Sequence, residues 1–147
     1  MIIEPIPANN GLLLQDKTFL QELRQVCTDN CALLIFDEVI SGFRVGFNGA
    51  AGLYNIDPDI ITYGKIIGGG LPVGAYGAKK GFMSKVAPDG PVYQAGTLSG
   101  NPVAMAAGIA QLSECAKDGF YEDQPENRTN VYHFEIITLR LCVVIYL

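Results

Sequence analysis

The chain has 147 residues, of which 49% are hydrophobic and 17% are charged, so it can bury the core of one ordinary domain. Its net charge of −5 argues against a general nucleic-acid surface and against an anionic-membrane surface. Four scattered cysteines and a single histidine argue against a metal site, and we expect free thiols and a cytoplasmic location. No apolar run reaches the ~18 residues of a membrane span, and no basic leader precedes Ile2, which predicts a soluble protein.

The first elements in chain order are a short strand and an amphipathic helix. Residues 1–4 are predicted to form the strand, and a loop that contains Asn9 follows it. Thr18 with Gln21 matches a capping box, so the helix is predicted to run from Thr18 to about Asn30. The apolar residues of this segment recur at helical spacing and are expected to form its buried face: Phe19, Leu20, Leu23 and Val26.

Two continuous apolar runs then predict strands that are covered on both faces, as in a parallel sheet. The first run, residues 32–36, ends at Asp37, and the second, residues 60–63, is followed closely by Lys65. A weakly helical segment rich in glycine and alanine, residues 48–54, lies between them. In open parallel sheets ligands bind beyond the carboxyl ends of the strands, so we expect Asp37 and Lys65 to share a site.

Lys65 is the residue with the most suggestive surroundings. Isoleucines lie on both sides of it, at residues 60–61 and 66–67, and three glycines follow at residues 68–70. An amine held in apolar surroundings is partly neutral and can attack a carbonyl carbon. Taken alone, Lys65 also fits a surface position in a strand-to-loop turn, since lysine is almost never fully buried.

The second half of the chain predicts a strand, a short helix and a loop, over residues 72–78, 79–86 and 87–100. Asn101 before Pro102 is a strong helix start, because asparagine caps the first turn and proline fits within it. The helix is predicted over residues 103–117, with Gly119 placed to end it.

The order of these elements predicts an α/β fold built on a mainly parallel sheet, in one domain over residues 1–120. The composition then changes. Residues 121–130 are polar and are predicted to form a linker, whereas residues 131–147 are strongly apolar and lightly charged. Such a tail is an aggregation hazard unless a partner covers it. We therefore expect residues 121–147 to form a separate, divergent C-terminal part.

Three motifs follow one another along the chain. They are residues 34–44, which contain Asp37-Glu38-Val39; residues 64–77, which begin with Gly64-Lys65; and residues 92–102, which contain Gly96-Thr97-Leu98-Ser99-Gly100-Asn101-Pro102. Together they resemble the class III branch of the fold-type-I pyridoxal 5'-phosphate (PLP) aminotransferases, over roughly residues 1–121. The offset of 28 residues from Asp37 to Lys65 fits that family as well. The third motif is similar more narrowly to the aminomutases of that branch.

The resemblance implies a role for each candidate cofactor-binding residue. Asp37 would keep the ring nitrogen of PLP protonated, so that the ring acts as an electron sink. Lys65 would form the Schiff base with the cofactor aldehyde and then move protons as general base and acid. Val39 would pack on one face of the ring, and Asn9 would lie near the phenolic oxygen. The simpler alternatives are a strand-end carboxylate for Asp37, an ordinary core residue for Val39 and a turn residue for Asn9.

The third motif implies a second subunit. Thr97, together with nearby backbone amides such as that of Gly96, would hold the phosphate of the cofactor of the neighbouring subunit. A homodimer with shared sites follows from that arrangement. Tyr93 would line the substrate site. A loop threonine without a ligand is the simpler alternative for Thr97.

The reaction implied by the resemblance is an isomerisation by intramolecular amino exchange. A small amino aldehyde, glutamate 1-semialdehyde, would become 5-aminolevulinate, the precursor of tetrapyrroles, and the cofactor would start and end in its pyridoxamine 5'-phosphate form. Two alternatives stay open, namely another class III aminotransferase and a catalytically inactive fragment that docks on full-length subunits.

Members of that family are much longer than this chain, and they carry an upstream phosphate-binding loop, an aromatic residue that stacks on the ring and a C-terminal small domain. We therefore expect residues 1–120 to be a partial PLP-binding large domain. A sheet without its outer strands exposes unpaired edges and apolar faces, which predicts poor solubility.

Overall fold

The computed structural model describes residues 1–122, which form an α/β fold around one four-stranded sheet. The strands lie in the order β1 (Ile2–Ile3), β2 (Ile35–Glu38), β3 (Ile60–Tyr63) and β4 (Ala75–Ala78). The first three strands are parallel, and β4 runs antiparallel to β3. The predicted fold class, an α/β fold with a mainly parallel sheet, is confirmed. The apolar tail and most of the polar linker predicted from the sequence lie outside the described residues.

Strand β2 begins and ends later than the sequence predicts. The chain is still closing the end of the preceding helix at Cys31 and Ala32, whose amides donate to Thr28 O at 3.2 Å and to Cys27 O at 2.8 Å. Pairing with β1 therefore starts at Ile35, whose amide donates to Met1 O at 2.9 Å. The strand then continues to Glu38, so that Asp37 lies inside it.

The first helix, α1 (Lys17–Asp29), begins one residue before the predicted start. Its N-cap is Asp16, whose carboxylate accepts a hydrogen bond from the Phe19 amide at 3.1 Å, so the predicted capping box at Thr18 and Gln21 is wrong. Aspartate is a stronger N-cap than threonine, and Asp16 has the extended backbone that a cap requires. The predicted C-terminal stop at Asn30 is confirmed.

The buried face of α1 also differs from the expectation. Leu20 and Cys27 are buried and Leu23 is half-buried, whereas Phe19 and Val26 are 46% and 56% exposed. The helix packs through positions 20, 23 and 27, which lie on one stripe at helical spacing. Two of the four predicted contact residues are therefore on the solvent side of the described structure.

The main core lies on one face of the sheet, under α1 and α2 (Gly49–Tyr54). It combines residues from the two helices, β2 and their connections: Ile6, Leu20, Cys27, Leu34, Phe36, Ala50, Tyr54 and Ile56. Side chains alternate along a strand, so Leu34, Phe36 and Glu38 face this core while Asp37 faces the other side. Within the described residues, only one face of β2 is fully buried, whereas the continuous apolar run predicts two.

Beyond β3 the chain turns through a 3₁₀ helix (Lys65–Gly68), β4 and a short helix α3 (Lys80–Met83), which is shorter than expected. The last described helix is α4 (Pro102–Cys115), which ends two residues before the predicted Lys117. The predicted start is confirmed, because the Asn101 side chain accepts hydrogen bonds from the Val103 and Ala104 amides at 3.1 and 3.2 Å. No helix among residues 1–122 is long and apolar enough to cross a membrane.

Candidate active site

The carboxyl ends of β2 and β3 place Asp37 beside the third strand. The parallel register pairs Asp37 with Thr62. The Asp37 Oδ1 accepts two hydrogen bonds, from the Val39 amide at 3.1 Å and from Thr62 Oγ1 at 3.3 Å. No described residue donates to Oδ2 of this half-buried carboxylate. One oxygen is thus held by the protein, while the other is available to a ligand.

Lys65 follows β3 by two residues and is exposed in the described structure. The apolar surroundings that the sequence predicts for it are therefore not formed by residues 1–122. The neighbouring isoleucines turn inward without it, since Ile67 is buried and Ile66 half-buried. The Lys65 φ angle is +46°, in the left-handed region that few residues other than glycine adopt. Such strain costs on the order of 1 kcal/mol and is concentrated at functional sites.

Val39 connects the aspartate strand to the lysine turn. A Cβ atom placed on Gly64 would lie 3.1 Å from Val39 Cγ1, so the valine side chain packs directly against the backbone that precedes Lys65. A side chain at position 64 would require Val39 to move by a few tenths of an ångström. The structure thus brings Asp37, Val39 and Lys65 to the same edge of the sheet, as expected, and the roles assigned to them stay predictions.

The other candidate residues are not brought into this arrangement by the described part of the chain. Asn9, Tyr93, Gly96 and Thr97 are all exposed, and Tyr93 reaches 83%. Every residue of the loop 91–100 is exposed. Val92 pairs with the segment 85–87, through Val92 N to Lys85 O at 2.9 Å and Ala87 N to Val92 O at 2.8 Å, and the later hydrogen bonds are local turns such as Ser99 N to Gly96 O at 2.9 Å. No hydrogen bond among residues 1–122 joins Thr97 or Tyr93 to Asp37 or Lys65.

One packing joint connects the loop 91–100 with the lysine turn. The loop leads into α4, and α4 packs against the 3₁₀ helix that begins with Lys65. A Cβ atom on Gly69, which has a φ angle of +56°, would lie 2.5 Å from Ala107 O. A Cβ atom on Gly108 would likewise collide with Ile67 O. The two backbones therefore meet at glycines, and this contact fixes where the loop 91–100 ends relative to Lys65.

Glu38 is a structural residue, as the sequence suggests, but its capping of α2 is not predicted from the sequence. It is fully buried, and its carboxylate accepts hydrogen bonds from the Ala50 amide at 2.6 Å, the Ala51 amide at 2.8 Å and Ser41 Oγ at 3.0 Å. It thereby satisfies the first amides of α2, which lack partners within the helix. A Cβ atom on Gly49 would collide with this carboxylate. Glycine at position 49 was the available signal, because it marks a close approach.

A second acidic residue, Asp59, directly precedes β3, at the end of the strand opposite to Lys65. It accepts hydrogen bonds from Arg24 Nη1 at 2.7 Å and from the Leu34 amide at 2.8 Å. Burial alone would raise the pKa of Asp59, but these two hydrogen bonds and the charge of Arg24 outweigh it, so the pKa is lowered. The pair lines a cleft of about 490 Å³ that also includes Cys27, Cys31 and Lys79.

A further cleft of about 440 Å³ lies between Phe47 and the segment 115–122. Neither cleft is lined by Asp37 or Lys65. With Lys65 exposed and Asp37 half-buried, the candidate site is an open strand-end surface in the described residues. No cluster of three or more possible metal ligands occurs among residues 1–122, and three of the four cysteines, Cys27, Cys31 and Cys115, are free thiols there.

Curated relatives match most of this chain. A family model for class III aminotransferases matches residues 1–132. The chain is 62% identical over 130 residues to the glutamate-1-semialdehyde 2,1-aminomutase of Legionella pneumophila, and the match covers 88% of this chain and 30% of that protein. It is 57% identical over 131 residues to glutamate-1-semialdehyde 2,1-aminomutase 2 of Lachnoclostridium phytofermentans, covering 89% and 29% respectively.

Solved structures agree with the sequence matches. An ω-transaminase from Sphaerobacter thermophilus has a TM-score of 0.71 at 40% identity, over 77% of this chain and 26% of that one. A structure described as a transaminase with PLP bound has a TM-score of 0.74 at 38% identity, over 82% of this chain and 29% of that one. These matches confirm the expected fold, part of the large domain of a fold-type-I PLP enzyme. The chain belongs to the class III aminotransferases.

Proposed function

We propose that this chain carries the aspartate-and-lysine part of the site of a PLP-dependent aminomutase that converts glutamate 1-semialdehyde into 5-aminolevulinate. The observation that carries the proposal is the placement of Asp37 and Lys65 at the carboxyl ends of neighbouring parallel strands, in a chain 62% identical to a protein named for that reaction. The chain spans 30% of that relative, so the proposal concerns the reaction to which these residues contribute.

The residues present fit PLP on two points. The Asp37 Oδ2 has no donor among the described residues, and a protonated ring nitrogen is a donor that would satisfy it. The Lys65 amine is exposed at the end of the adjacent strand, where a cofactor aldehyde could reach it. The described residues do not enclose a ligand, and the loop 91–100 stands apart in solvent.

Bound PLP would supply an electron sink for a carbanion formed next to the substrate nitrogen. Asp37 would hold the proton on the ring nitrogen by offering its negative charge at short range. Lys65 would hold the cofactor in place and, once its amine is released, would take a proton from one substrate carbon and return it to a neighbouring one. Val39 would limit one face of the ring. Asn9 would contact the phenolic oxygen.

The remaining candidate residues would act with a second subunit. We propose a homodimer in which Thr97 and the Gly96 amide hold the phosphate of the neighbouring subunit's cofactor, while Tyr93 lines the substrate site. The exposure of the whole loop 91–100 supports this, because it leaves the loop accessible to a second subunit. The exposed apolar side chains of Val103 (68%) and Ile109 (67%) on α4 support it as well.

Three further parts of the proposal depend on the same resemblance. The cofactor would rest in the pyridoxamine 5'-phosphate form, the reaction would take place in the cytoplasm, and residues 1–120 would be a partial large domain followed by a divergent part over residues 121–147. Free thiols at Cys27, Cys31 and Cys115 support a reducing compartment.

A second candidate is an aminotransferase that moves the amino group between two different molecules. The 40% identity to an ω-transaminase favours it. The two reactions differ in their requirement for a co-substrate. An aminomutase forms 5-aminolevulinate from glutamate 1-semialdehyde alone, whereas an aminotransferase needs a separate amino acceptor.

Covalent trapping tests the lysine assignment directly. The purified chain is mixed with PLP and reduced with borohydride, and the modified peptide is identified by mass spectrometry. We expect pyridoxyl label at Lys65, loss of that label in Lys65→Ala, and unchanged labelling of Lys65 in the control Lys80→Ala, which removes another exposed lysine. Label spread evenly over the exposed lysines would contradict the proposal.

A further inference from the structure

Thr62 has a hydrogen bond that its strand does not require. It lies in the middle of β3, where the other residues are Ile60, Ile61 and Tyr63. Its backbone belongs to the ladder with β2 and β4, whereas its side-chain hydroxyl donates to Asp37 Oδ1 at 3.3 Å across the parallel register. A valine would fill the same space in a β-strand and has the same branched shape. The hydroxyl therefore has one visible consequence, its contact with the aspartate.

Two donors converge on the same oxygen of Asp37. The Val39 amide approaches Oδ1 at 3.1 Å in a local turn of the chain, and the Thr62 hydroxyl approaches it from the neighbouring strand. A single donor would leave the carboxylate free to rotate about its bond to that donor. Donors from two different segments restrict this rotation, and they leave Oδ2 as the oxygen without a donor from the described residues.

We infer that Thr62 is a positioning residue for Asp37. Its hydroxyl, acting together with the Val39 amide, holds the carboxylate so that Oδ2 is presented to the protonated ring nitrogen of the cofactor. The inference rests on the proposed function, because it requires a ligand with a nitrogen donor at this site. Preorganising the carboxylate lowers the entropy lost when the ligand binds. Thr62 should therefore strengthen the binding of a ligand that has a ring nitrogen at this site.

Comparing two cofactors separates the effect of Thr62 on the ring nitrogen from any effect of the substitution on the stability of the fold. The first is PLP, and the second is its 1-deaza analogue, in which a carbon replaces the ring nitrogen. Dissociation constants of both are measured by absorbance titration of the purified chain and of Thr62→Val. We expect Thr62→Val to weaken PLP binding about fivefold, the loss of one hydrogen bond to a charged group that is long in this case. Binding of the deaza analogue should be unchanged.

Further variants at positions 62 and 37 serve as controls. Thr62→Ser keeps the hydroxyl and should restore PLP binding, while Thr62→Ala is a second variant without a hydroxyl in case the valine variant does not fold. In an Asp37→Asn background, Thr62→Val should have no further effect, because the group through which it acts has lost its charge.

The outcomes separate the inference from the proposed function. Equal weakening of both cofactors by Thr62→Val, or no weakening of either, would overturn the inference alone and leave Thr62 as an ordinary strand residue. Equal affinity of the unmutated chain for PLP and the deaza analogue, or no measurable PLP binding, would overturn the proposed function and the inference with it.

Discussion

The strand ends around Asp37 and Lys65 differ sharply from the loop 91–100. At the strand ends, buried and half-buried polar groups have partners from distant parts of the chain, as Glu38 has in α2 and Asp37 has in β3. In the loop 91–100, every residue is exposed, and the hydrogen bonds reach no further along the chain than the segment 85–87. The sheet of this chain therefore holds Asp37 and its neighbours in place, whereas the loop 91–100 belongs to the chain but is not packed against the sheet.

The difference has a simple energetic origin. A polar group that is buried must be hydrogen-bonded, so the packing of β2 against α2 determines the conformation of residues 38–51. An exposed loop has water for its donors and acceptors, so burial imposes no such requirement on the loop 91–100. The substitutions below weaken one region at a time, and their effects should decrease from the strand ends outward.

The largest effect is expected from Glu38→Ala at the strand ends. The change leaves the Ala50 and Ala51 amides and the Ser41 hydroxyl without their buried acceptor. Each buried group without a partner costs about 1–3 kcal/mol, so the free energy of unfolding should fall by at least about 3 kcal/mol. Urea denaturation followed by circular dichroism measures it.

The matched control is Glu22→Ala, which removes an exposed glutamate from α1 and should change stability by no more than about 0.5 kcal/mol. If Glu38→Ala were as mild as this control, the capping of α2 by Glu38 would not hold the strand ends together.

A smaller effect is expected at the joint between the two regions. In Gly69→Ala the new Cβ would lie 2.5 Å from Ala107 O and would need a φ angle near +56°, so α4 must shift. Overpacking of this kind costs about 1–3 kcal/mol. Hydrogen exchange should accelerate in α4 and leave β2 unchanged, because the contact concerns only the outer region.

Gly70→Ala is the control for this joint. Gly70 also has a positive φ angle, +91°, but no atom lies within 4 Å of its Cβ position. It therefore introduces backbone strain without the collision. Equal acceleration of exchange in α4 by both variants would show that the contact with Ala107 does not connect the two regions.

Removing the cap of α4 should cost less. Asn101→Ala deletes the side chain that accepts from the Val103 and Ala104 amides, and the loss of such a cap is typically about 1 kcal/mol. Asn48→Ala is the matched control, because Asn48 precedes α2 without a side-chain capping bond. Exchange of the Val103 and Ala104 amides should increase only in the first variant. An equal effect of the two changes on stability would contradict the capping role.

The sequence predicts those features that depend on neighbours along the chain. The continuous apolar runs locate β2 and β3, and Asn101 before Pro102 locates the start of α4. The sequence does not predict Asp16 rather than Thr18 as the cap of α1, because both residues can cap and Thr18 with Gln21 also matches a capping box.

What the sequence could not predict depends on contacts between distant segments. Val39 packs against Gly64, directly before the left-handed backbone of Lys65, and the buried Glu38 carboxylate lies against Gly49. Neither pair is adjacent in sequence. The same holds for Thr62, whose hydroxyl gains significance only through the register that places it opposite Asp37.

The smallest expected effect is a pH dependence at the amino end of β3, far along that strand from Lys65. Because the pKa of Asp59 is lowered in the folded chain, its contribution to stability is present above the unfolded aspartate pKa of about 3.9 and is lost as the pH falls through the folded pKa. Partly exposed ion pairs contribute about 0.5–1 kcal/mol, so the loss below about pH 4 should be modest.

Urea denaturation of the chain and of Asp59→Asn, at pH 6 and at decreasing pH below 4, measures this loss of stability. The difference in stability between the two should shrink as the pH falls. A difference that stays constant over this range would mean that the charges of the Arg24–Asp59 pair add nothing beyond its neutral hydrogen bonds, and that the packing of α1 against the core supplies the rest of its attachment to the sheet.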